Sequence, residues 1–353
     1  MNRAREHGTP AVRRHYVVRI GAVSLRASWR TTLVVGGLLT GAVVVAVLAI
    51  GIGRYTVAPA DVVGVLMGAN TSFDRVVVLD WRMPRMLLAL IIGAALGVSG
   101  AIFQALTRNA LGSPDIIGIN AGAYTGALVV IAGAGGGYYA VAAGALIGGL
   151  VTAAAVYALS YRNGIAGFRL IVVGIAIGAV LNSVNQWVII KIDLHTAMTA
   201  SIWQQGSLNG LGWEQVLPVT ACLLLLVVPL VALGHRLQIL QLGDDAAGAL
   251  GLHPDRARLI YLVIAVGMVA LSCAAAGPIT FVALAAPQLV RRLTASPGVA
   301  LVPSAAMGAV LLLASDVLAQ HLLEGTELPV GAVTVSLGGA YLVYLLVSQA
   351  RNR

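Results

Sequence analysis

The chain has 353 residues, 59% of them hydrophobic and only 10% charged, with a mean hydropathy of +0.92; an ordinary soluble domain is roughly 25% charged. This composition excludes a soluble globular enzyme. It points to an all-α integral membrane protein, because the apolar runs are too long and continuous to be the short alternating strands of a β-barrel.

Residues 1–30 form a basic tail without a long apolar run. No Ala-x-Ala-like cleavage site follows the first apolar run, so a cytoplasmic tail and a retained helix are expected rather than a removed signal peptide. A bilayer core needs about 20 apolar residues per helix. That measure gives ten candidate spans, at roughly 31–52, 84–106, 115–133, 138–160, 168–191, 214–234, 258–276, 279–293, 299–320 and 330–348. No linker is long enough to separate soluble domains from one another, so 31–350 reads as one transmembrane domain. With the N-terminus inside, 17 of the 22 Lys and Arg residues fall in inner segments and 5 in outer ones. This positive-inside bias puts both termini in the cytoplasm and accounts for the net charge of +9 without nucleic acid.

The longest outer segment, 53–85, is expected to carry a short surface helix, and its last residues, WRMPR, set Arg82 and Arg85 around a helix-starting proline. RNALGSPD at 108–115 reads as a connector, with Asn109 and Gly112 suited to a turn and Pro114 stopping helix continuation. Glycines four apart, at Gly93/Gly97, Gly118/Gly122/Gly126, Gly144/Gly148 and Gly174/Gly178, let helix backbones approach closely and are read as packing. In LNSVNQWVIIK the three- and four-residue spacing places Asn182, Asn185 and Gln186 on one face. Such a face either bonds a neighbouring helix or lines a wet path. Asp316 is essentially the one ionisable group within the spans, near the outer end of the ninth. It is open to a structural pairing or a transport role, and a proton-coupled carrier is expected to hold more such groups. Cys222 and Cys273 read as small buried hydrophobes, not as a disulfide or metal site.

There is no Gly-x-x-x-x-Gly-Lys-Ser/Thr loop, since the only lysine is Lys191 in VIIKID, and no His-Glu-x-x-His or Gly-x-Ser-x-Gly. No catalytic residue, metal or cofactor is expected in this chain. One polar island interrupts the apolar second half: QLGDDAAGALGLHPDRARL, 241–259. Asp244 or Asp245 is a good N-cap, Gly251 suits the C-cap, and Pro254 with Asp255 opens another turn before Arg256 and Arg258, so two short helices joined at glycine are expected. A helix this short is marginal in water and needs a surface, either the chain's own inner face or a partner.

WRMPRMLLALIIGAALGVSGAIFQALTRNALGSPDIIGINAGA, AGPITFVALAAPQLVRRL and ELPVGAVTVSLGG, in that order, resemble the FecCD-type permeases of bacterial ABC importers for ferric siderophores and cobalamin. FRLIVVGIAIGAVLNSVNQW, SIWQQGSLNGL and LQLGDDAAGALGLHPDRARL are most similar to the members that carry ferric enterobactin and related catecholates. The resemblance implies a cobalamin-importer-like fold of ten helices in the bacterial inner membrane. It implies a second permease, often a homologue, two ATPase subunits that hold the ATP and magnesium, and an external binding protein. Arg82 and Arg85 match outer arginines that dock acidic residues of the binding protein, with anchoring of a helix as the alternative; a third basic position reads Gln320-His321 here. Asn109 and Leu111 match the inner gate, with Ala110 where Asn-Pro-Leu is usual. Asn182, Asn185 and Gln186 lie on the fifth helix, which borders the family's pathway. Asp244, Asp245, Ala246, Leu250, Gly251 and Leu252, in a segment at about 238–258, match the coupling helix that sits in a groove of the ATPase. The competing readings are a cobalamin or haem permease, an ion-coupled secondary carrier, and a membrane scaffold that transports nothing.

Overall fold

The computed structural model describes residues 15–351 except 21–22, 52, 54, 69–72, 135, 162–166, 296–297 and 324–326. Residues 1–14 of the basic tail lie outside the described residues. The rest of the tail contains an antiparallel hairpin of β1 (His15–Ile20) and β2 (Val23–Ser28), which leads directly into α1 (Trp29–Gly51). Every other described element is helical.

The 53–85 segment holds α2 (Pro59–Leu66), the short helix expected there, and α3 (Phe73–Arg75). A π-helical turn at Val76–Arg82 then runs into α4 (Met83–Thr107). Pro84 therefore does not start the helix: the chain is already helical at Phe73. Proline supplies no N–H and its ring crowds the carbonyl four residues back. The ladder widens ahead of it, and Met83 N–H bonds Val78 O, five residues back.

Eight further helices follow: α5 (Ile119–Ala134), α6 (Tyr138–Ser160), α7 (Gly167–Lys191), α8 (Leu194–Gln204), α9 (Trp213–Leu240), α10 (Asp244–Ala249), α11 (Pro254–Ala276) and α12 (Val282–Thr294). The chain closes with α13 (Leu301–His321) and α14 (Val330–Arg351). Among the described residues, seven helices are long and apolar enough to cross a bilayer. The expected span at 279–293 is only 13 residues of helix in α12, about 20 Å of rise against a core of about 30 Å. The short helix α8 was not expected; Asp193 caps it by accepting from Thr196 N–H at 3.0 Å.

The core sits around α4, which packs on α13, α11, α12 and α9 and buries Leu88, Ile92, Leu96 and Phe103. Glycine makes this contact close: a Cβ on Gly93 would lie 2.9 Å from the Ala309 Cα, with Gly308 on the facing turn. The same holds where α5 meets α6, since a Cβ on Gly144 would lie 2.6 Å from Gly126 O and one on Gly148 3.0 Å from Gly126 Cα. The four-residue glycine spacing is therefore packing. Polar cross-ties supplement it: Ser99 Oγ donates to Ala265 O at 2.8 Å, and Gln104 Nε2 to Leu284 O at 3.1 Å. Cys273 is buried as expected, but Cys222 lies exposed on α9, and both are free.

Candidate functional site

Three zones carry the polar chemistry. The first is the rim built on the 53–85 segment. Phe73 stands edge-on to Tyr55 and Trp81, with centroids 5.5 and 5.7 Å apart, over a small core of Ile50, Val57, Val62, Val65, Val77 and Val78. Arg82 bonds the carbonyls of Ile50 and Tyr55, tying the end of α1 to the start of α4. The Tyr55 hydroxyl donates to Asp74 at 2.8 Å, and this bond to a carboxylate pushes the phenol above its ordinary pKa. Arg85 reaches Asp316 with Nε at 2.9 Å and Nη2 at 3.0 Å, and Glu327 with Nη1 at 3.1 Å; Gln320 Nε2 also donates to Asp316, at 2.8 Å. Asp316 thus takes the structural partner left open for it, and α4, α13 and the segment before α14 are joined by charge.

The second zone is a layer of non-helical breaks between the helices. Asp115, just before α5, accepts from Asn120 Nδ2 at 2.9 Å and from Phe281 N–H at 3.1 Å. Phe281 is held at φ 68° at the start of α12, a conformation unusual for a bulky residue. Ser207 N–H bonds Ala276 O at 2.7 Å, and Gly331 N–H bonds Gly206 O at 3.1 Å. The breaks after α4, α8, α11 and before α14 therefore satisfy one another's backbone groups. Sequence reasoning missed Asp115 as a half-buried carboxylate that joins two breaks. Its signal was its place at the first residue of an apolar run.

The polar face expected on α7 does not survive intact. Asn185 is buried against α5, where its Nδ2 donates to Ala121 O at 3.3 Å and its Oδ1 has no partner, while Asn182 and Gln186 are exposed. At about 100° per residue, Asn185 lies about 60° from Asn182 and about 100° from Gln186, on the side of that stripe nearest α5.

The third zone is the island. Gly243, at φ 113°, is the N-cap of α10; Asp244 and Asp245 are its first two helical residues and not its cap. At the other end Gly251 N–H bonds Gly248 O at 2.9 Å and Leu252 N–H bonds Ala247 O at 3.0 Å, with Gly251 at φ 76°. This is a full Schellman stop, and glycine fits its left-handed position. Pro254 opens the long α11 rather than a second short helix. Asp244 is gripped by Arg258 and by Arg108 Nη2 at 3.2 Å, and Arg108 also donates to Leu240 O at 3.3 Å. The adjoining turn is closed by Asn109 Oδ1, which accepts from Leu111 N–H at 2.9 Å, and Ala110 O accepts from Gln288 Nε2. The Leu111 side chain is exposed. Ala247 seats α10 on the chain and Leu252 packs on the core, while Ala246 is half-buried. Asp245 and Gly251 are exposed, as are Leu242 and Leu250, the two leucines at 67% and 62%. An apolar, acidic knob is left facing outward.

The FecCD transport family matches residues 39–348. The chain is 45% identical over 316 residues to the ferric enterobactin transport system permease protein FepG of Escherichia coli (strain K12), covering 90% of this chain and 96% of that protein. It is 35% identical over 314 residues to the iron(3+)-hydroxamate import system permease protein FhuG of Bacillus subtilis (strain 168), covering 86% and 94%. A solved structure described as an inward-facing conformation of a metal-chelate type ABC transporter superposes with a TM-score of 0.80 at 27% identity, covering 90% of this chain and 99% of that one. A chain with this island, this glycine-packed helical core and these matches belongs to the FecCD transport family.

Proposed function

We propose that the chain is the permease subunit of an ABC importer that moves a ferric siderophore, of the catecholate type exemplified by enterobactin, across the cytoplasmic membrane. Ten segments cross the membrane in this reading, with the short α5 and α12 completed by the breaks beside them, and both termini are cytoplasmic. ATP is bound and hydrolysed on two partner ATPase subunits.

The observation that carries the reading is the outward side of α10. A six-residue helix is held from beneath by Ala247 and the Asp244 ion pairs, yet leaves Leu242, Asp245 and Leu250 uncovered. A chain without a nucleotide loop needs such a surface to receive work from an ATPase. Asp244, Asp245, Ala246, Leu250, Gly251 and Leu252 form the coupling helix, and the turn at Asn109 and Leu111, bracketed to it through Arg108, is the inner gate. Asn182 and Gln186 face the path between this chain and a second permease, and Asn185 steadies α7 against α5. An external binding protein docks on the outer rim around Arg82 and Arg85. Both guanidiniums are engaged within the chain, so an incoming carboxylate meets Arg85 by replacing Glu327 at Nη1.

The test is reconstitution with the cognate ATPase and binding protein, measuring ATP hydrolysis and uptake with ferric enterobactin, a ferric hydroxamate and cobalamin. Ferric enterobactin should give the largest stimulation of both. A response to cobalamin alone overturns the substrate class, and uptake that continues without the ATPase overturns the ABC reading in favour of an ion-coupled carrier.

A further inference from the structure

At the face that bears Arg30, α10 and most of the arginine-rich breaks, the start of α13 borders a small recess of about 20 Å³, partly open to solvent. Its lining includes Gln241, Arg291, Gly298, Val299, Ala300 and Ser304, and no carboxylate. Three features converge there. No side chain caps α13, whose N-cap is Ala300, so the positive end of a 21-residue helix lies at the recess edge formed by Ala300 and Ser304, where only Leu301 and Val302 offer N–H groups free of an acceptor, Pro303 having none. Arg291 makes no ion pair among the described residues; its one hydrogen bond there goes to the neutral Gln104 Oε1. The Ser304 hydroxyl, on the first turn of α13, is 1% exposed and has no hydrogen-bond partner among the described residues. A buried hydroxyl without a partner costs about 1–3 kcal/mol, and a half-buried guanidinium without an anion is costly as well.

The geometry points to a binding site for a phosphate group, held by Arg291, the Ser304 hydroxyl and the free N–H groups at the start of α13. Phosphate suits the set: it is an acceptor with several oxygens, able to take a guanidinium, a hydroxyl and backbone N–H donors together. The basic breaks put this face on the cytoplasmic side of an apolar helix bundle, so the occupant assigned here is the phosphate of an anionic phospholipid of the inner leaflet. Free phosphate offers the same chemistry. Because Gln241 closes α9 two residues before Gly243 caps α10, the occupant also borders the coupling segment.

The full-length chain in detergent is titrated with phosphatidylglycerol, phosphatidylcholine and inorganic phosphate, and binding is followed by native mass spectrometry and by melting temperature. Phosphatidylglycerol should bind saturably and more tightly than phosphatidylcholine. Arg291→Gln should weaken it about tenfold or more, the loss expected for one charge-assisted bond. Arg291→Lys should retain most of the affinity, and Ser304→Ala, which removes only one oxygen, should weaken it by a smaller factor and serve where Arg291→Gln does not fold. If inorganic phosphate both displaces phosphatidylglycerol and raises the melting temperature, the site stands with free phosphate as its ligand. Absence of saturable binding by either probe, or wild-type affinity in whichever of Arg291→Gln and Ser304→Ala folds, overturns it.

Discussion

Asp316→Ala removes the carboxylate that meets Arg85 at 2.9 and 3.0 Å. The Asp316 side chain is 2% exposed and that of Arg85 15%, so neither recovers much hydration when the other is lost. Breaking a buried pair from one side costs about 3–5 kcal/mol. Glu327 remains on Arg85 Nη1, but at 39% exposure it behaves as a surface partner worth about 0–1 kcal/mol. The expected loss for Asp316→Ala is therefore about 3 kcal/mol. Replacing both members, Arg85→Met with Asp316→Leu, leaves no buried charge and should cost less than Asp316→Ala alone, a coupling of about 2 kcal/mol between the sites. The assay is a double-mutant cycle by detergent-titrated unfolding of the purified chain, run beside a titration of the binding protein against the same variants. Additive losses in the cycle would show that the pair does not hold α4 to α13. A binding defect confined to Arg85→Met, with normal unfolding, would make Arg85 a docking residue and nothing more.

Gly126→Val should lower stability by about 1–3 kcal/mol, the usual cost of overpacking, because even a Cβ there would lie 2.8 Å from Gly144 C; Gly41→Val, with nothing within 4 Å, should melt like wild type. Gly251→Val also enters open space but at φ 76°, so its cost is backbone strain of about 1–2 kcal/mol, confined to α10. It should separate ATP hydrolysis from uptake in the reconstituted importer, and normal coupling would remove α10 as the coupling helix. Leu250→Asp, at a side chain 62% exposed, should leave the melting temperature unchanged and reduce co-purification of the ATPase. Asn182→Leu with Gln186→Leu should cut uptake without loss of folding, since both positions are exposed; undiminished uptake would move the path off this face of α7.

Helices were legible because the bilayer imposes one length scale and one composition on them, and α6, α7 and α11 fall within a few residues of their expected bounds. The glycine pairs could be read too, since a four-residue repeat names its own face, although the partner Gly308 carries no repeat and was found only across the α4–α13 contact. Asp115 and Phe281 are 166 residues apart. No local pattern announces that a connector's carboxylate will cap a distant break. The split of Asn185 from Asn182 and Gln186 was hidden for another reason: spacing says which residues share a helix face, and only the neighbour α5 decides where that face ends. Capping at α10 differed by one residue, because Gly243 at φ 113° takes the cap position without a side-chain bond and leaves Asp244 free to form ion pairs.

That displacement by one residue bears on mechanism. As an N-cap, Asp244 would have spent its carboxylate on its own helix; as the first helical residue it favours the positive end of α10 and reaches Arg108 and Arg258 together. Arg108 is the last residue of the α4 turn, at φ 50°, next to Asn109; Arg258 lies in the first turns of α11. In the proposed importer a force applied to α10 through Leu250 would pass through this one carboxylate to α4 and α11, and the break that follows each of these helices meets the other at Asp115 and Phe281. In the proposed importer the turn at Asn109 and Leu111 is held at both ends, by Arg108 below and Asp115 above. In that reading, movement of α10 reaches the proposed gate by a short, charged route, through the contacts of Asp244 with Arg108 at the end of α4 and Arg258 at the start of α11.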